Sequence, residues 1–343
     1  MDGLRIERCE DGSSWDEFVR SRSGWTHFHL YGWKGVVERV FGHECIYLTQ
    51  IGSDNTIEGA LPLVRVKSML FGHFLVSMPF VNYGGPIGTP DAVANLADHA
   101  ARLAADDGAD LLELRARHDL CLELPVSHRK ITVVLDLPKG DPEPLWKGFK
   151  PKLRSQIRRP RKEGVEVRFG TDQIKPFFDV FSRHMRDLGT PTQPISLFES
   201  IGDEFQDDVW CACAYLAEKP IAAGLGFRWG NEVEMTWASA LREYNRLAPN
   251  MLLYWSFMEK AVEESVELFN FGRCSPGAGT HKFKLQWGSR EEPLWWYQGY
   301  QDDGGSGTPS PDDSKYSWGP RVWKRLPMPV ANLFGPRVVR FIP

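Results

Sequence analysis

Lys219-Pro-Ile-Ala-Ala-Gly-Leu-Gly-Phe-Arg228, then Gly230-Asn231, then Glu232-Val-Glu-Met-Thr-Trp-Ala-Ser239, read as a strand, a hairpin turn and a second strand. A polar loop follows, Arg242-Glu-Tyr-Asn-Arg-Leu-Ala-Pro-Asn250. Asn250 through Ser265 has the composition of a helix, and Leu268-Phe-Asn-Phe271 closes the unit as a buried strand. The same order occurs earlier in the chain. Glu58-Gly-Ala-Leu-Pro-Leu-Val-Arg-Val-Lys67 and His73-Phe-Leu-Val-Ser-Met-Pro-Phe80 are strands, and Asn82-Tyr-Gly-Gly-Pro-Ile-Gly88 is the loop. Asp91 to Ala105 is a helix capped near Thr89 or Asp91, and Ala109-Asp-Leu-Leu-Glu-Leu114 is the closing strand. The opening strands lie 161 residues apart (58 to 219) and the closing strands 157 apart (111 to 268). That period is too long for a solenoid and implies two copies of one α/β domain.

The rest of the sequence bounds the function. The chain has 343 residues, 42% hydrophobic and 25% charged, so a soluble globular protein of two domains is expected. Lys plus Arg is 41 and Asp plus Glu is 45, a net charge of −4, which gives no global attraction to DNA. The six cysteines are scattered without metal-ligand spacing, so neither a disulfide framework nor a metal site is expected. Cys211 and Cys213 share one face of a strand and read as buried small hydrophobes. The first residues are charged, without an apolar leader, and no apolar run reaches the roughly 18 residues of a membrane span. A cytoplasmic location follows as an expectation.

Three stretches stand outside the repeat. From Lys150 to Lys162 there are seven basic residues and no acid. Pro151 suits a first helical turn, Pro160 ends or kinks the helix, and Arg154 and Arg158 share a face. This run reads either as a solvated face or as a grip on phosphate through Lys152, Arg154 and Arg158. Residues 174–188 and 195–205 read as helices. Arg183-His-Met-Arg186 lies near the end of the first, where cations also suit the helix dipole. The C-terminal part joins a linker, Asp302 to Asp313, to a segment with six basic residues and no acid among Trp, Val, Leu and Phe. Residues 315–343 read as folded back on the body, as docked on a partner, or as in peripheral contact with the inner face of an anionic membrane.

The duplicated plan resembles the double GNAT-like fold of the Fem family of peptidyl and aminoacyl transferases. It is similar in particular to FemAB-like proteins associated with exopolysaccharide and PEP-CTERM/exosortase systems. The stretches that carry the likeness are Ser77-Met-Pro-Phe-Val-Asn-Tyr-Gly-Gly85, Lys152-Leu-Arg-Ser-Gln-Ile-Arg158, Arg183-His-Met-Arg-Asp-Leu-Gly-Thr-Pro191 and Trp237-Ala-Ser-Ala-Leu-Arg-Glu-Tyr-Asn245. Asn270-Phe-Gly-Arg-Cys-Ser275, Phe283-Lys-Leu-Gln-Trp-Gly288 and the tail pattern Trp323-Lys-Arg-Leu-Pro327 with Gly335-Pro336 complete them. The implied fold is α/β with layered α and β: tandem GNAT-like (acyl-CoA N-acyltransferase-like) domains, mixed sheets flanked by helices. The first domain is expected at 1–145, the second at 146–300, and a linker with a basic amphipathic tail at 301–343. The implied activity is transfer of an acyl or aminoacyl group to an amine of a cell-envelope, peptidoglycan or exopolysaccharide precursor. Lys284 matches the lysine of the family's FK-type motif, and Phe28-His-Leu-Tyr-Gly-Trp-Lys34 offers Lys34 on the acceptor side. No cofactor is required beyond an acyl donor, aminoacyl-tRNA or acyl-CoA.

Acyl transfer needs a neutral amine, a donor for the oxyanion and a proton acceptor. Arg273, Lys282 and Lys284 follow the closing strand of the second copy and supply positive charge there, with Lys284 polarising the carbonyl; His184 or His281 relays the proton. Asn82, Tyr83, Lys152, Arg154, Arg158, Tyr244, Asn245, Asn250, Tyr254 and Ser275 are the expected substrate-binding residues. The loop before Asn250 has no glycine, which argues against a backbone cradle for the CoA pyrophosphate. Two further readings remain open: a CoA-dependent GNAT N-acyltransferase, and a non-catalytic GNAT-like scaffold that binds a polyanion.

Overall fold

A computed structural model describes residues 5–69, 71–300 and 319–342. The chain divides into two units. One holds Met1–Arg129, Pro293–Ser310 and Val338–Pro343, the other Lys130–Glu292 and Pro311–Arg337. This division departs from a cut at 145/146: residues 130–145 go to the second unit and 293–300 to the first.

The first unit begins with β1 (Arg5–Arg8), α1 (Gly12–Arg20), α2 (Gly32–Phe41) and β2 (Glu44–Ile51). It continues through β3 (Ile57–Ser68), β4 (Gly72–Ser77), β5 (Ile87–Gly88), α3 (Pro90–Asp106), β6 (Leu111–Ala116) and β7 (Val126–Ser127). Thr89 caps α3, its hydroxyl accepting from the Ala92 amide at 3.3 Å. The strand expected to reach Phe80 stops at Ser77, because Met78 and Phe80 take φ of 49° and 72°. Leu61, Leu63, Leu75, Leu112 and Leu114 pack under Leu96, Ala97 and Ala100 of α3.

The second unit holds β8 (Ile131–Asp136), α4 (Glu143–Gly148), α5 (Pro151–Lys162), β9 (Val165–Phe169), α6 (Ile174–Leu188) and α7 (Ile195–Phe205). Then come β10 (Val209–Leu216), β11 (Lys219–Trp229), β12 (Glu232–Ala240), α8 (Pro249–Glu263), β13 (Leu268–Cys274), α9 (Gly279–Leu285) and β14 (Arg290–Pro293). The helices read from sequence at 174–188 and 195–205 form over those residues. Met251, Leu252, Trp255 and Met258 of α8 enter a core with Val233, Met235, Phe269 and Phe271. Finally β15 (Trp295–Tyr300) joins the first sheet, and α10 (Gly319–Trp323) and α11 (Met328–Val339) end the chain.

The sheets run β1-β2-β3-β4-β6-β15-β7, with β5 beside β3, and β14-β8-β13-β12-β11-β10-β9. The pairing β4–β6 is parallel, as is β12–β13, and each ladder has three residue pairs. Phe74, Leu75 and Val76 face Leu111, Leu112 and Glu113; Glu232, Val233 and Glu234 face Leu268, Phe269 and Asn270. The repeat is thus visible in register, with Val76 corresponding to Glu234, Glu113 to Asn270 and Arg115 to Gly272.

The linker at 302–313 lies outside the described residues. The tail beyond it packs back. Arg186 donates to the Leu326 carbonyl at 3.0 Å, and Pro320 sits against Gly189. In the first unit His43 meets the Arg340 carbonyl at 2.6 Å.

Candidate active site

The sequence Asn270-Phe-Gly-Arg273 makes the site possible. Between Asn270 and Arg273 the register against β8 shifts by one residue, a β-bulge, and Gly272 adopts φ +70°. The Asn270 side chain locks it. Its Oδ1 accepts from Thr132 Oγ1 at 2.7 Å and from the Gly272 amide at 2.8 Å, and its Nδ2 donates to Glu232 Oε1 at 2.8 Å. All these groups are buried, so each bond is costly to lose.

The bulge presents two successive carbonyls to Lys284. Its Nζ donates to Gly272 O at 2.6 Å and to Arg273 O at 2.9 Å. Lys284 is 5% exposed, and burial pulls its pKa down from the ordinary 10.5 to about 8. The opposing pull comes from Cys274 and then from Glu234, a carboxylate with no exposure whose Oε1 accepts from Thr236 Oγ1 at 2.9 Å. An ammonium has three N–H donors, and two are spent on the bulge. The third is available to a substrate oxygen only while Lys284 is protonated.

The other expected residues fall into distinct places. Lys282 is exposed, two residues from Lys284 on α9 and therefore on another face, so it does not stand beside Lys284 to supply positive charge at one site as expected of the three cations. Arg273 contributes its carbonyl to Lys284, and its side chain is half-buried. His281 has both ring nitrogens engaged, Nδ1 accepting from the Gly277 amide and Nε2 facing Glu291 Oε1, each at 2.9 Å. It clamps the Ser275–Ala278 loop and has no nitrogen left to relay a proton. His184 Nδ1 meets the Ala240 carbonyl at 3.1 Å, and burial lowers its pKa. Donation to that carbonyl leaves Nε2 as the basic nitrogen.

Ser275 is held by Lys130, whose Nζ donates to Oγ at 2.7 Å. Tyr254 is buried among Phe269, Phe271, Phe283 and Trp287, where burial raises its pKa. It is a core residue, against the expectation of substrate contact. Tyr244 accepts from Lys219 Nζ at 2.9 Å, Asn245 is exposed, and Asn250 is half-buried in the first turn of α8. The loop before α8 is a 3₁₀ turn, Arg242–Leu247, tied by Arg159 Nη1 to the Arg246 carbonyl at 2.9 Å. It ends in Ala248 at φ +56° and Pro249, so that helix start lacks both glycine and one amide.

Along α5 runs a groove of about 430 Å³ lined by Pro151, Arg154, Ser155, Arg158, Arg159, Lys162 and one carboxylate, Glu163. Arg158 stacks over Trp146 at 5.2 Å, Arg154 is half-buried, and Lys152 is exposed. Among the described residues neither Lys152, Arg154 nor Arg158 has a carboxylate partner.

Asn82 and Tyr83 belong to the first unit and are 5% and 1% exposed, so the expected ligand loop is a packed turn. Tyr83 lies 5.6 Å from the Phe28 ring. Gly84 and Gly85 both donate to the Arg115 carbonyl, at 3.0 and 2.8 Å. Lys34 is paired with Glu10 at 2.9 Å and with the Tyr31 hydroxyl at 3.0 Å, and these partners outweigh burial and raise its pKa. The residues missed from sequence are Glu234, Asn270 and Gly272. An Asn two places before a Gly inside an apolar strand is the signal of such a bulge. Among the described residues no group of three or more His, Cys, Asp or Glu is placed to hold a metal ion, and no helix is long and apolar enough to cross a membrane.

Comparison with known proteins bears on the fold. Residues 147–285 match the family described as acetyltransferase (GNAT) domain, which spans α5 to α9 and so includes Lys284. A UDP-N-acetylmuramoylpentapeptide-lysine N(6)-alanyltransferase of Weissella viridescens is 24% identical over 149 residues. The match covers 42% of this chain and 44% of that protein, so the chain spans under half the length of this curated relative. The crystal structure of FemX superposes with a TM-score of 0.65 at 14% identity, over 85% of this chain and 97% of that one. A tandem GNAT protein from the clavulanic acid biosynthesis pathway gives 0.51 at 13% identity, over 88% and 100%. The fold is the duplicated GNAT fold, and the resemblance to Fem-type transferases holds at that level.

Proposed function

We propose that this tandem GNAT chain is a Fem-like transferase that moves an activated acyl or aminoacyl group to an amine of a cell-envelope precursor. A peptidoglycan or exopolysaccharide intermediate, the latter within a PEP-CTERM/exosortase system, is the acceptor class we favour. The observation that carries the reading is Lys284: buried, with a lowered pKa, and with two of three donors fixed by the bulge. In the reaction the acceptor amine attacks the carbonyl carbon and the carbonyl oxygen gains negative charge. The third Lys284 N–H donates to that oxygen, and the C–O or C–S bond to the carrier breaks. We assign His184 Nε2 as the group that takes the proton from the attacking amine and returns it to the departing oxygen or sulfur of the carrier. The α5 groove, through Arg154 and Arg158, suits a phosphate group on donor or acceptor, with Lys152 nearby on the same helix but outside the groove lining.

Aminoacyl-tRNA is the favoured donor over acyl-CoA, since Ala248 and Pro249 replace the glycine-rich approach to the α8 N-terminus. We place the reaction in the cytoplasm. The test is transfer of alanine from alanyl-tRNA to UDP-N-acetylmuramoyl-pentapeptide, with other aminoacyl donors and lipid-linked glycan acceptors run beside it. Lys284→Met is expected to lower kcat by about 10²–10³. A wild-type rate in that variant removes Lys284 from the chemistry. Calorimetry with acetyl-CoA is expected to show no heat of binding, and saturable binding would restore the CoA reading.

A further inference from the structure

The tail helix α11 is packed inside out. Its buried positions are Ala331 at 1%, Gly335 and Val339 at 8% exposure, a stripe of small residues spaced by four. The backbone at Gly335 approaches Thr192 so closely that a Cβ there would lie 3.0 Å from the Thr192 amide nitrogen and carbonyl oxygen. The large apolar side chains face the other way, Leu333 being 54% and Phe334 50% exposed, with Arg337 one turn beyond Leu333. A helix that served only to cover the body would place Leu and Phe inward.

The neighbouring elements repeat the pattern. In α10 Val322 is 52% exposed between Arg321 and the exposed Lys324 and Arg325. The α10 start rests on Gly189, and the preceding residue, Leu188, is itself 44% exposed. Among the described residues of the second unit these four, Leu188, Val322, Leu333 and Phe334, are the exposed large apolar side chains. From residue 319 onward the sequence has five basic residues and no acid. The one carboxylate at the end of α6, Asp187, is neutralised by Arg186 at 2.7 Å, and large apolar residues among otherwise unopposed cations complement one surface chemistry, acyl chains under anionic headgroups.

We infer that α10, α11 and the end of α6 form a docking face for an anionic lipid surface, held in place by the small-residue stripe and reading the membrane with Val322, Leu333, Phe334 and the surrounding cations. This face is separate from Lys284 and uses none of the residues assigned to transfer. Vesicle binding without transfer therefore counts against the catalytic reading alone, and transfer without vesicle binding against this inference alone.

The experiment is cosedimentation of the full chain with vesicles of phosphatidylglycerol and phosphatidylcholine, and with vesicles of phosphatidylcholine alone. Retention is expected on the anionic vesicles only, falling as salt rises. The double variant Leu333→Ser, Phe334→Ser and the triple variant Arg321→Gln, Lys324→Gln, Arg325→Gln are each expected to lower partitioning about tenfold or more. All five positions are exposed, so an unchanged melting curve accompanies the loss. The inference is overturned by absence of retention on anionic vesicles, or by wild-type retention of both variants. It is also overturned if only the cation variant loses binding and soluble heparin competes as well as vesicles do, since that marks a polyanion grip.

Discussion

The two sheets solve one problem in opposite ways. In each, a short parallel ladder ends after three pairs and the strands must part. In the first unit the parting is sealed. Ser77 Oγ accepts from the Arg115 amide at 2.7 Å, and the amides of Gly84 and Gly85 cap the Arg115 carbonyl. Gly84 and Gly85 are required there: a Cβ on Gly85 would lie 3.0 Å from that carbonyl, and Gly84 has φ +155°. The Arg115 guanidinium is buried with Glu113 at 2.8 Å and lies over Trp296 at 4.5 Å, and Gln298 satisfies the other Glu113 oxygen at 2.7 Å. In the second unit the corresponding carbonyl, that of Gly272, is capped by an amine that keeps a donor in reserve. Backbone amides in the first copy make a rigid seal, whereas a titratable side chain in the second makes a chemical group. At the same register position one copy closes the strand end with backbone amides and the other with the amine of Lys284.

This contrast can be broken. The largest effect is expected at Glu113→Ala, which strands a buried guanidinium and should cost about 3–5 kcal/mol in urea unfolding. A loss under about 1 kcal/mol would show that Arg115 is not dependent on its partner, and the seal would lose its electrostatic part. Next is Asn270→Ala, at the corresponding position of the second unit. Removing the bulge lock should cost about 1–3 kcal/mol and lower kcat with KM little changed, because the carbonyls that hold Lys284 shift. An unaltered kcat would separate the bulge from the chemistry.

The pH dependence sharpens the comparison. Lys284 loses its spare donor as pH rises through about 8, so kcat should fall roughly tenfold per pH unit above that point. Stability should move in the other direction. The folded-state pKa lies below the ordinary 10.5, so between about 8 and 10.5 the unfolded chain binds more protons and folding strengthens as pH rises. Lys284→Met should flatten both curves, and a rate that climbs through pH 8 would make Lys284 a base instead of a donor. The smallest effect is expected at Arg158→Gln, within about 0.5 kcal/mol of wild-type stability, with KM raised if the α5 groove holds a phosphate. An unchanged KM would leave that groove a solvated face.

Much of this architecture was legible in the chain. The strand–strand–helix–strand order, the helices at 174–188 and 195–205, and the capped helix after Thr89 are local patterns of periodicity and capping, and they form as read. Lys284 was singled out through a motif, whereas its burial was not visible. Lys282-Phe-Lys-Leu-Gln-Trp287 has the composition of an exposed basic turn, and nothing in it tells which lysine points inward. Asn82, Tyr83 and Tyr254 were read as ligand contacts because polar and aromatic residues near loops look alike whether they meet a substrate or a core.

Residue order by itself determined the duplicated plan, because amphipathic period, turn residues and caps act over a few neighbours. Tertiary structure alone decided that β8 pairs with β13 and β15 with β6, that a bulge aims two carbonyls at Lys284, and that α11 turns Leu333 and Phe334 outward. Those outcomes depend on partners up to about 180 residues away, between which no local preference discriminates, and on burial, which is a property of the packed chain and not of any single residue.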